Sequence, residues 1–254
     1  MSKASVILVT GSAGRIGAAV SQALVERGHR VRGFDRRPSP AVDESVVGDL
    51  TDPKAVQDAV AGTDVVIHLA ATPAQADFMT QLLPNNIVGL YHVCEAARVH
   101  KVRRLALASS GQVVMNQPWR ERTIRVEDGL APNDHYACTK VFAEIMGEVY
   151  ASSYAMSVVA VRLGWVPRDQ KEADLLAAAE ENFDWYLSPP DAGRFFSLLA
   201  ESDHPELAGF TLLAALSKSP DHPTLDVEPA RRLLGFEPQD TYPENLPPEL
   251  RAPG

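Results

Sequence analysis

Tyr136 and Lys140 stand four residues apart in the run Tyr136-Ala137-Cys138-Thr139-Lys140. On a helix, that spacing puts a phenol and an ammonium on one face. A free tyrosine has a pKa of about 10, so at neutral pH only about one molecule in a thousand is phenolate. A cation within about 4–6 Å lowers that value by one to three units, which makes the phenolate a workable base for a substrate hydroxyl. Upstream, Ser109 and Ser110 follow the apolar run Arg104–Ala108, with Ser110 placed 26 residues before Tyr136. A hydroxyl there can orient a substrate oxygen, because ligands of an open parallel sheet sit beyond the carboxyl ends of its strands. Taken singly, these are a surface lysine beside a half-buried tyrosine and two serines capping a strand. Taken together, they describe a site for moving a proton to or from an alcohol.

A second group lies at the start of the chain. Gly11-Ser12-Ala13-Gly14-Arg15-Ile16-Gly17 separates the apolar run Val6–Val9 from an amphipathic stretch that carries Ile16, Val20, Leu24 and Val25. The glycines let the backbone turn tightly and approach a pyrophosphate, which then meets the free N–H groups of a helix N-terminus. Gly11, Ala13, Gly14, Arg15, Ile16 and Gly17 are the candidate contacts. Asp35 comes 18 residues after Gly17, at the end of Val31–Phe34. A carboxylate there accepts the ribose hydroxyls and repels a 2′-phosphate, which favours NAD over NADP. Arg36 and Arg37 follow directly. They pair with a phosphate, stack on adenine, or sit in a solvated loop.

These groups need elements to hold them. Short apolar runs at Val31–Phe34, Val65–Leu69, Arg104–Ala108 and Val158–Val161 alternate with helix-length segments at Lys54–Val60, Asn86–Arg98 and Tyr136–Tyr154. The pattern predicts an α/β fold of Rossmann type, a doubly wound parallel sheet with helices on both faces. After Trp165 the character changes. Arg168–Phe183 and Ala192–Leu199 read as helices, and the segment from Phe236 onward holds five prolines, too many for a regular element. The expected organisation is an NAD-binding core over residues 1–165, with a small substrate-binding cap and Pro-rich tail over residues 166–254, all in one compact unit.

Composition narrows the partners. The 254 residues are 45% hydrophobic and 22% charged with a net charge of −9, which repels phosphate backbones and argues against nucleic acid. Two cysteines, Cys94 and Cys138, exclude a disulfide scaffold or a cysteine-built metal site and suit a reducing cytosol. The apolar run near the start is too short for a signal peptide, and no stretch approaches the roughly 20 apolar residues of a membrane span. A cytoplasmic enzyme with a small-molecule substrate, no metal and no membrane partner is expected.

The motifs resemble, in order and nearly end to end, those of the extended short-chain dehydrogenases/reductases in the NAD-dependent epimerase/dehydratase family. They are Thr10-Gly11-x-x-Gly14-x-x-Gly17, Asp49-Leu50, His68-Leu69-Ala70-Ala71, Asn86-x-x-Gly89, Ser109-Ser110, Tyr136-x-x-x-Lys140 and Ala230–Pro238. The resemblance implies Tyr136 as general base or acid, Lys140 as the group that lowers its pKa and holds the nicotinamide ribose, and Ser110 on the reacting oxygen. It implies that Asn86 supports the active-site helix and a proton-relay water. Asp49 and Leu50 would touch adenine, Leu69, Ala70 and Ala71 would line the nucleotide, and Val166-Pro167 would lie by the carboxamide.

Within the family the nearest look is to the uronate dehydrogenases, through Asn86–Tyr91 and Glu95–Arg98. Those enzymes oxidise C1 of a hexuronate with NAD, and their active-site serine is followed by Asn-His, where this chain has Gly111-Gln112. Thr72, Ser110, Gly111, Gln112 and Arg168 are the expected substrate contacts, with Arg168 or Lys171 as the cation for a substrate carboxylate. The leading expectation is an NAD-dependent oxidoreductase acting on a hydroxyl of a sugar-like substrate. An NDP-sugar epimerase or dehydratase using the same Ser-Tyr-Lys site, or a non-catalytic NAD sensor, are the alternatives. Relatives often pair through the helix bearing Tyr and Lys, so a homodimer is an expected partner. His68 reads as structural, and His135 as a loop residue beside the pocket.

Overall fold

The computed structural model describes residues 4–178, 180–219, 222–246 and 250. Its strands are β1 (Val6–Thr10), β2 (Arg30–Asp35), β3 (Glu44–Val47), β4 (Val65–His68), β5 (Arg104–Ser110), β6 (Val158–Leu163) and β7 (Phe210–Ala215). The α-helices are α1 (Arg15–Glu26), α2 (Pro53–Val60), α3 (Gly89–Val99), α4 (His135–Tyr154), α5 (Gln170–Ala177), α6 (Pro189–Glu201) and α7 (Glu228–Leu234). The strands form one parallel sheet in the order β3-β2-β1-β4-β5-β6-β7. Strand order reverses between β1 and β4, and there the loops at the carboxyl ends diverge to leave a crevice.

Successive side chains of a strand point to opposite faces, and the central strands are apolar on both. Ile7, Val9, Val31, Ile67 and Val161 pack with Val20 and Leu24 of α1 and Phe195, Phe196 and Leu199 of α6. Leu8, Val66, Leu105 and Leu107 pack with Val56 and Val60 of α2, Leu90 and Val93 of α3, and Ala143 and Tyr150 of α4. A sheet covered on both sides explains why β1, β4 and β6 read as continuous apolar runs.

Four features depart from the sequence reading. The sheet does not stop near residue 165: β7 extends it, and α6 packs along α1. Strand β3 is an edge strand of alternating partly exposed residues, with Val47 59% exposed, and such a strand needs little apolar sequence. The helical segment expected from Asn86 begins at Phe78, as a wide π-helical stretch to Val88 that contains Pro84. A proline lacks the amide an α-turn would use, and the wider winding admits it. Arg168–Phe183 is not one helix. Helix α5 ends at Ala177, where the Asn182 side chain donates to the Leu175 carbonyl at 2.9 Å, and a 3₁₀ turn follows over Glu180–Trp185.

The proline-rich segment is anchored where it is described. Phe236 is buried in the core, and the Lys218 amide donates to the Asp240 carbonyl at 2.8 Å. Pro247, Pro248 and Pro253 lie outside the described residues. Among the described residues no helix is long and apolar enough to cross a membrane.

Candidate active site

The loop after β1 is shaped by glycines that tolerate no replacement. Gly11 has φ +74°, and a Cβ there would lie 2.8 Å from the Ala70 amide nitrogen; a Cβ on Gly17 would lie 2.0 Å from the Gly11 carbonyl oxygen. Gly14 is the N-cap of α1, so no side chain caps that end, and the first turn carries no acidic residue. An uncapped helix N-terminus approached by bare backbone is the donor set that a pyrophosphate requires, and the cradle fits a dinucleotide. At the end of β2, Asp35 accepts from the Ala13 amide at 3.2 Å and the Arg37 amide at 3.1 Å. The two arginines beside it have internal partners. Arg36 pairs with Asp49 at 2.9 Å and donates to Asn85 at 2.5 Å, while Arg37 donates to the Ala13 carbonyl at 3.1 Å. Hydrogen bonds from the Thr51 amide and hydroxyl, with Arg36 alongside, hold the Asp49 carboxyl below its ordinary pKa despite partial burial.

A single cavity of about 590 Å³ runs from this loop to the end of β5. Gly11, Gly14, Arg15, Ile16, Gly17, Asp35 and Arg36 line one end, with Leu50, Leu69, Ala70 and Ala71 beside them. Ala13 and Asp49 stand behind the wall and act through Asp35 and Arg36.

At the other end lie Ser110, Tyr136 and Lys140. The two serines of β5 part ways, as adjacent strand residues must. Ser109 donates to Glu144 at 2.6 Å, which forms a buried pair with Arg162 at 2.9 Å. Ser110 faces the cavity, accepts from the Gln112 amide at 3.2 Å, and stands near enough to the Tyr136 phenol to favour its ionised form. Tyr136 sits in the first turn of α4. That turn is fixed by Asp134, whose carboxylate accepts from the Ala137 amide at 2.7 Å, and by the Gln75 side chain, which accepts from the Tyr136 amide at 3.2 Å. Lys140 Nζ lies 5.7 Å from the centre of the phenol ring and donates to the Ala108 carbonyl at 3.0 Å.

Burial dominates the electrostatics here. It pushes the Tyr136 phenol up to about 12, against the downward pull of the nearby Ser110 hydroxyl and the Arg168 charge. This is opposite to the shift that the Tyr–Lys spacing predicts, because desolvation outweighs the charges. Burial likewise brings the Lys140 ammonium down to about 8. His68 is structural, as expected. It shares a hydrogen bond with Thr10 at 2.8 Å, and burial, with Lys140 nearby, pushes it down to about 3.

Asn86 does not reach the cavity. It is buried, accepts from the Thr72 amide at 2.7 Å, and donates to the Thr72 carbonyl at 3.1 Å and to Thr139 of α4 at 3.0 Å. It thus ties the loop after β4 to the helix that carries Tyr136. The Thr72 hydroxyl is engaged by Asn85 at 2.8 Å and the Gln81 carbonyl at 3.3 Å, behind the wall rather than in it. Lys171 is exposed and outside the wall. Gln112 and Gly111 line the cavity, and Gly111 lies under a ring: a Cβ on it would fall 2.2 Å from Trp185 Cζ3.

Trp165 and Trp185, which the sequence leaves open between pocket wall and packing, complete this end together with Met115 and Glu172, which it does not point out. Trp185 packs edge-on to Trp119 with ring centres 5.4 Å apart. Glu172, in the first turn of α5, pairs with Arg168, four residues earlier and just before the Asp169 N-cap. That spacing was a readable signal.

A Rossmann crevice with a glycine cradle at one end and Ser110 and Tyr136 beside a buried lysine at the other defines a dinucleotide-dependent oxidoreductase of the short-chain dehydrogenase/reductase class. The chain matches the NAD dependent epimerase/dehydratase family over residues 7–166, and it belongs to that family. It is an NAD-dependent enzyme. Among curated relatives, L-arabinose 1-dehydrogenase (NAD(P)(+)) of Haloferax volcanii is 29% identical over 92% of this chain and 96% of its own length. Among solved structures, glucuronic acid dehydrogenase from Chromohalobacter salexigens superposes with a TM-score of 0.80 at 28% identity, over 95% of this chain and 86% of that one. A short-chain dehydrogenase/reductase superfamily protein from Agrobacterium tumefaciens with bound NAD gives a TM-score of 0.79 at 26% identity, over 95% of this chain and 94% of that one.

Proposed function

We propose that the chain oxidises a hydroxyl group of a sugar, with Tyr136 as the general base. The observation that carries this reading is the one cavity that begins at the glycine cradle and ends on Ser110 and Tyr136, with Lys140 Nζ 5.7 Å from the phenol ring. The sugar substrates of the relatives with the same fold support it.

Oxidation of an alcohol removes a proton from oxygen and a hydride from carbon. NAD, when bound, supplies the hydride acceptor. Ser110 donates to the substrate oxygen and fixes its position, and the proton passes to Tyr136 Oη. Because burial holds that phenol near 12, positive charge around it is needed to favour the phenolate. Lys140 at 5.7 Å from the ring centre is one source. Gly11, Gly14 and Gly17 would bed the pyrophosphate on α1, Asp35 would take the adenosine ribose, and Lys140 the nicotinamide ribose. With Arg36 paired to Asp49 and Arg37 to a backbone carbonyl, Asp35 reads the ribose and NAD is preferred over NADP. Asn86 is a positioning residue that acts through Thr72 and α4. A homodimer through α3 and α4 is supported by Tyr91, Val99, Ile145 and Val149, which expose apolar surface on those helices. The free cysteines Cys94 and Cys138 fit a cytoplasmic enzyme.

The test is the formation of NADH or NADPH from a panel of neutral aldoses, hexuronates and UDP-sugars. NADH formation from at least one sugar, with NAD preferred over NADP, is expected. NADH binding without turnover of any sugar would sink the reading, and interconversion of UDP-sugars without net NADH would replace it with an epimerase.

A further inference from the structure

At the sugar end of the cavity the charge of Arg168 acts on Tyr136. Arg168 is the group that a carboxylate or phosphate on the substrate would seek. Every nitrogen of its guanidinium already has an acceptor within the chain. Nε donates to Glu172 at 2.9 and 3.1 Å, Nη2 donates to Glu172 as well, and Nη1 donates to the Pro73 carbonyl. The Arg168 amide adds a further bond to the Glu172 carboxylate at 2.9 Å.

Glu172 is no distant surface partner. Its side chain is 15% exposed, and it lines the cavity alongside Arg168. Burial would raise its pKa, but the hydrogen bonds from the Arg168 guanidinium and amide win and hold it below the ordinary carboxylate value, so it is ionised at neutral pH. Asp169, the N-cap of α5, adds another negative charge next to the pair.

The other cations of the wall are committed elsewhere. Arg36 and Arg37 stand at the adenosine end, and Lys140 donates to the Ala108 carbonyl beneath the phenol. Arg15 opens α1 and donates to the Arg168 carbonyl at 3.1 Å. A polar atom also waits near Ser110: Gln112 Oε1 is buried with no hydrogen-bond partner. An acceptor oxygen and an ionised carboxylate ask for hydroxyl donors and repel an anion.

We propose that Glu172 sets specificity in this site, so that the enzyme takes a neutral polyhydroxylated aldose and discriminates against hexuronates and sugar phosphates. The inference rests on the sugar-oxidising reading above and names its substrate class. An anionic substrate has to displace Glu172 from the Arg168 guanidinium and leave that largely buried carboxylate without its charge partner, a costly exchange. A neutral sugar leaves the pair intact and donates its hydroxyls to Glu172 and Gln112.

The experiment compares kcat/KM for D-glucose, D-glucuronate and D-glucose 6-phosphate, and for D-galactose and D-galacturonate, in the wild type, Glu172→Gln and the double variant Glu172→Gln/Arg168→Gln. NADH binding is measured by fluorescence in each. The wild type should prefer the neutral sugar of each set by about tenfold or more. Glu172→Gln frees the guanidinium and should raise the uronate-to-aldose ratio by about tenfold, and the double variant should lose that gain. A wild type that turns over the uronate as well as or better than the aldose overturns the proposal without any variant. So does a ratio unchanged in Glu172→Gln, or loss of all turnover in Glu172→Gln with NADH binding kept, which would make Glu172 part of the chemistry. Absence of turnover on every sugar in the wild type would instead fail the broader reading, and this one with it.

Discussion

Gly17 and Gly111 both sit where a methyl group would collide, but the obstacles differ in kind. At Gly17 the obstacle is backbone, the Gly11 carbonyl oxygen 2.0 Å away; at Gly111 it is a ring, Trp185 Cζ3 at 2.2 Å. The contrast holds for the two ends of the cavity as a whole. The nucleotide end is defined by the path of the main chain, which a pyrophosphate reads through amides. The sugar end is defined by side chains that converge from β5, from the loop after β6 and from the 3₁₀ turn at Glu180–Trp185. Backbone shape is set by local sequence and tolerates little variation. Side-chain walls can be rebuilt one residue at a time, which suits a family whose members share a cofactor and differ in substrate.

On the proposed reading Tyr136 carries the chemistry between those two ends, and it yields the largest expected effect. Tyr136→Phe removes only the phenol oxygen. Turnover should fall by about 10²–10⁴-fold, the usual worth of a general base, while NADH affinity measured by fluorescence titration stays within about twofold, because the phenol acts on the sugar. A parallel loss of NADH binding would put Tyr136 on the nucleotide side and blur the division.

The same contrast governs what could be read before any coordinates. The glycine cradle, Asp35, Ser110, Tyr136 and Lys140 were legible because short spacings on a strand, a turn or one helical face place them. The sheet was legible through its buried strands and missed at β3, whose edge position asks for little hydrophobicity, and at β7, which lies beyond the change in composition after Trp165. Thr72, expected to face the substrate, stands behind the wall, while Asn86, expected to support the active-site helix, stitches the loop after β4 to α4. Trp185 was weighed without being placed. Its contact with Gly111 joins residues 74 positions apart, and no local pattern announces it. The upward shift at Tyr136 was also out of reach, since burial is a property of the assembled cavity.

Gly17→Ala tests the backbone end. The new methyl group meets a carbonyl oxygen that cannot swing aside, so either the turn opens or α1 shifts. Overpacking of this kind costs about 1–3 kcal/mol of stability. Because the displaced atoms are those that shape the pyrophosphate bed, NADH affinity should drop by about tenfold or more, read by isothermal titration together with a lower melting temperature. Unchanged NADH binding would mean that the loop is more plastic than its glycines indicate.

Gly111→Ala tests the side-chain end and should do least. Trp185 is 4% exposed and held edge-on by Trp119, so its ring can tilt only by pushing on that neighbour. Some stability is lost, again about 1–3 kcal/mol. The ring forms part of the sugar wall and stands away from the glycine cradle, so KM for the sugar should rise by about three- to tenfold, with kcat changed less and NADH affinity kept within about twofold. The informative comparison is with Gly17→Ala in the same assays: one substitution weakens the nucleotide, the other the sugar. If Gly111→Ala weakens NADH binding as much as it weakens the sugar, the two ends share a wall and are not separately built. If it lowers kcat with KM unchanged, the tilt of Trp185 has reached the Ser110–Tyr136 pair through the adjoining backbone, and the ring serves to align the reacting hydroxyl.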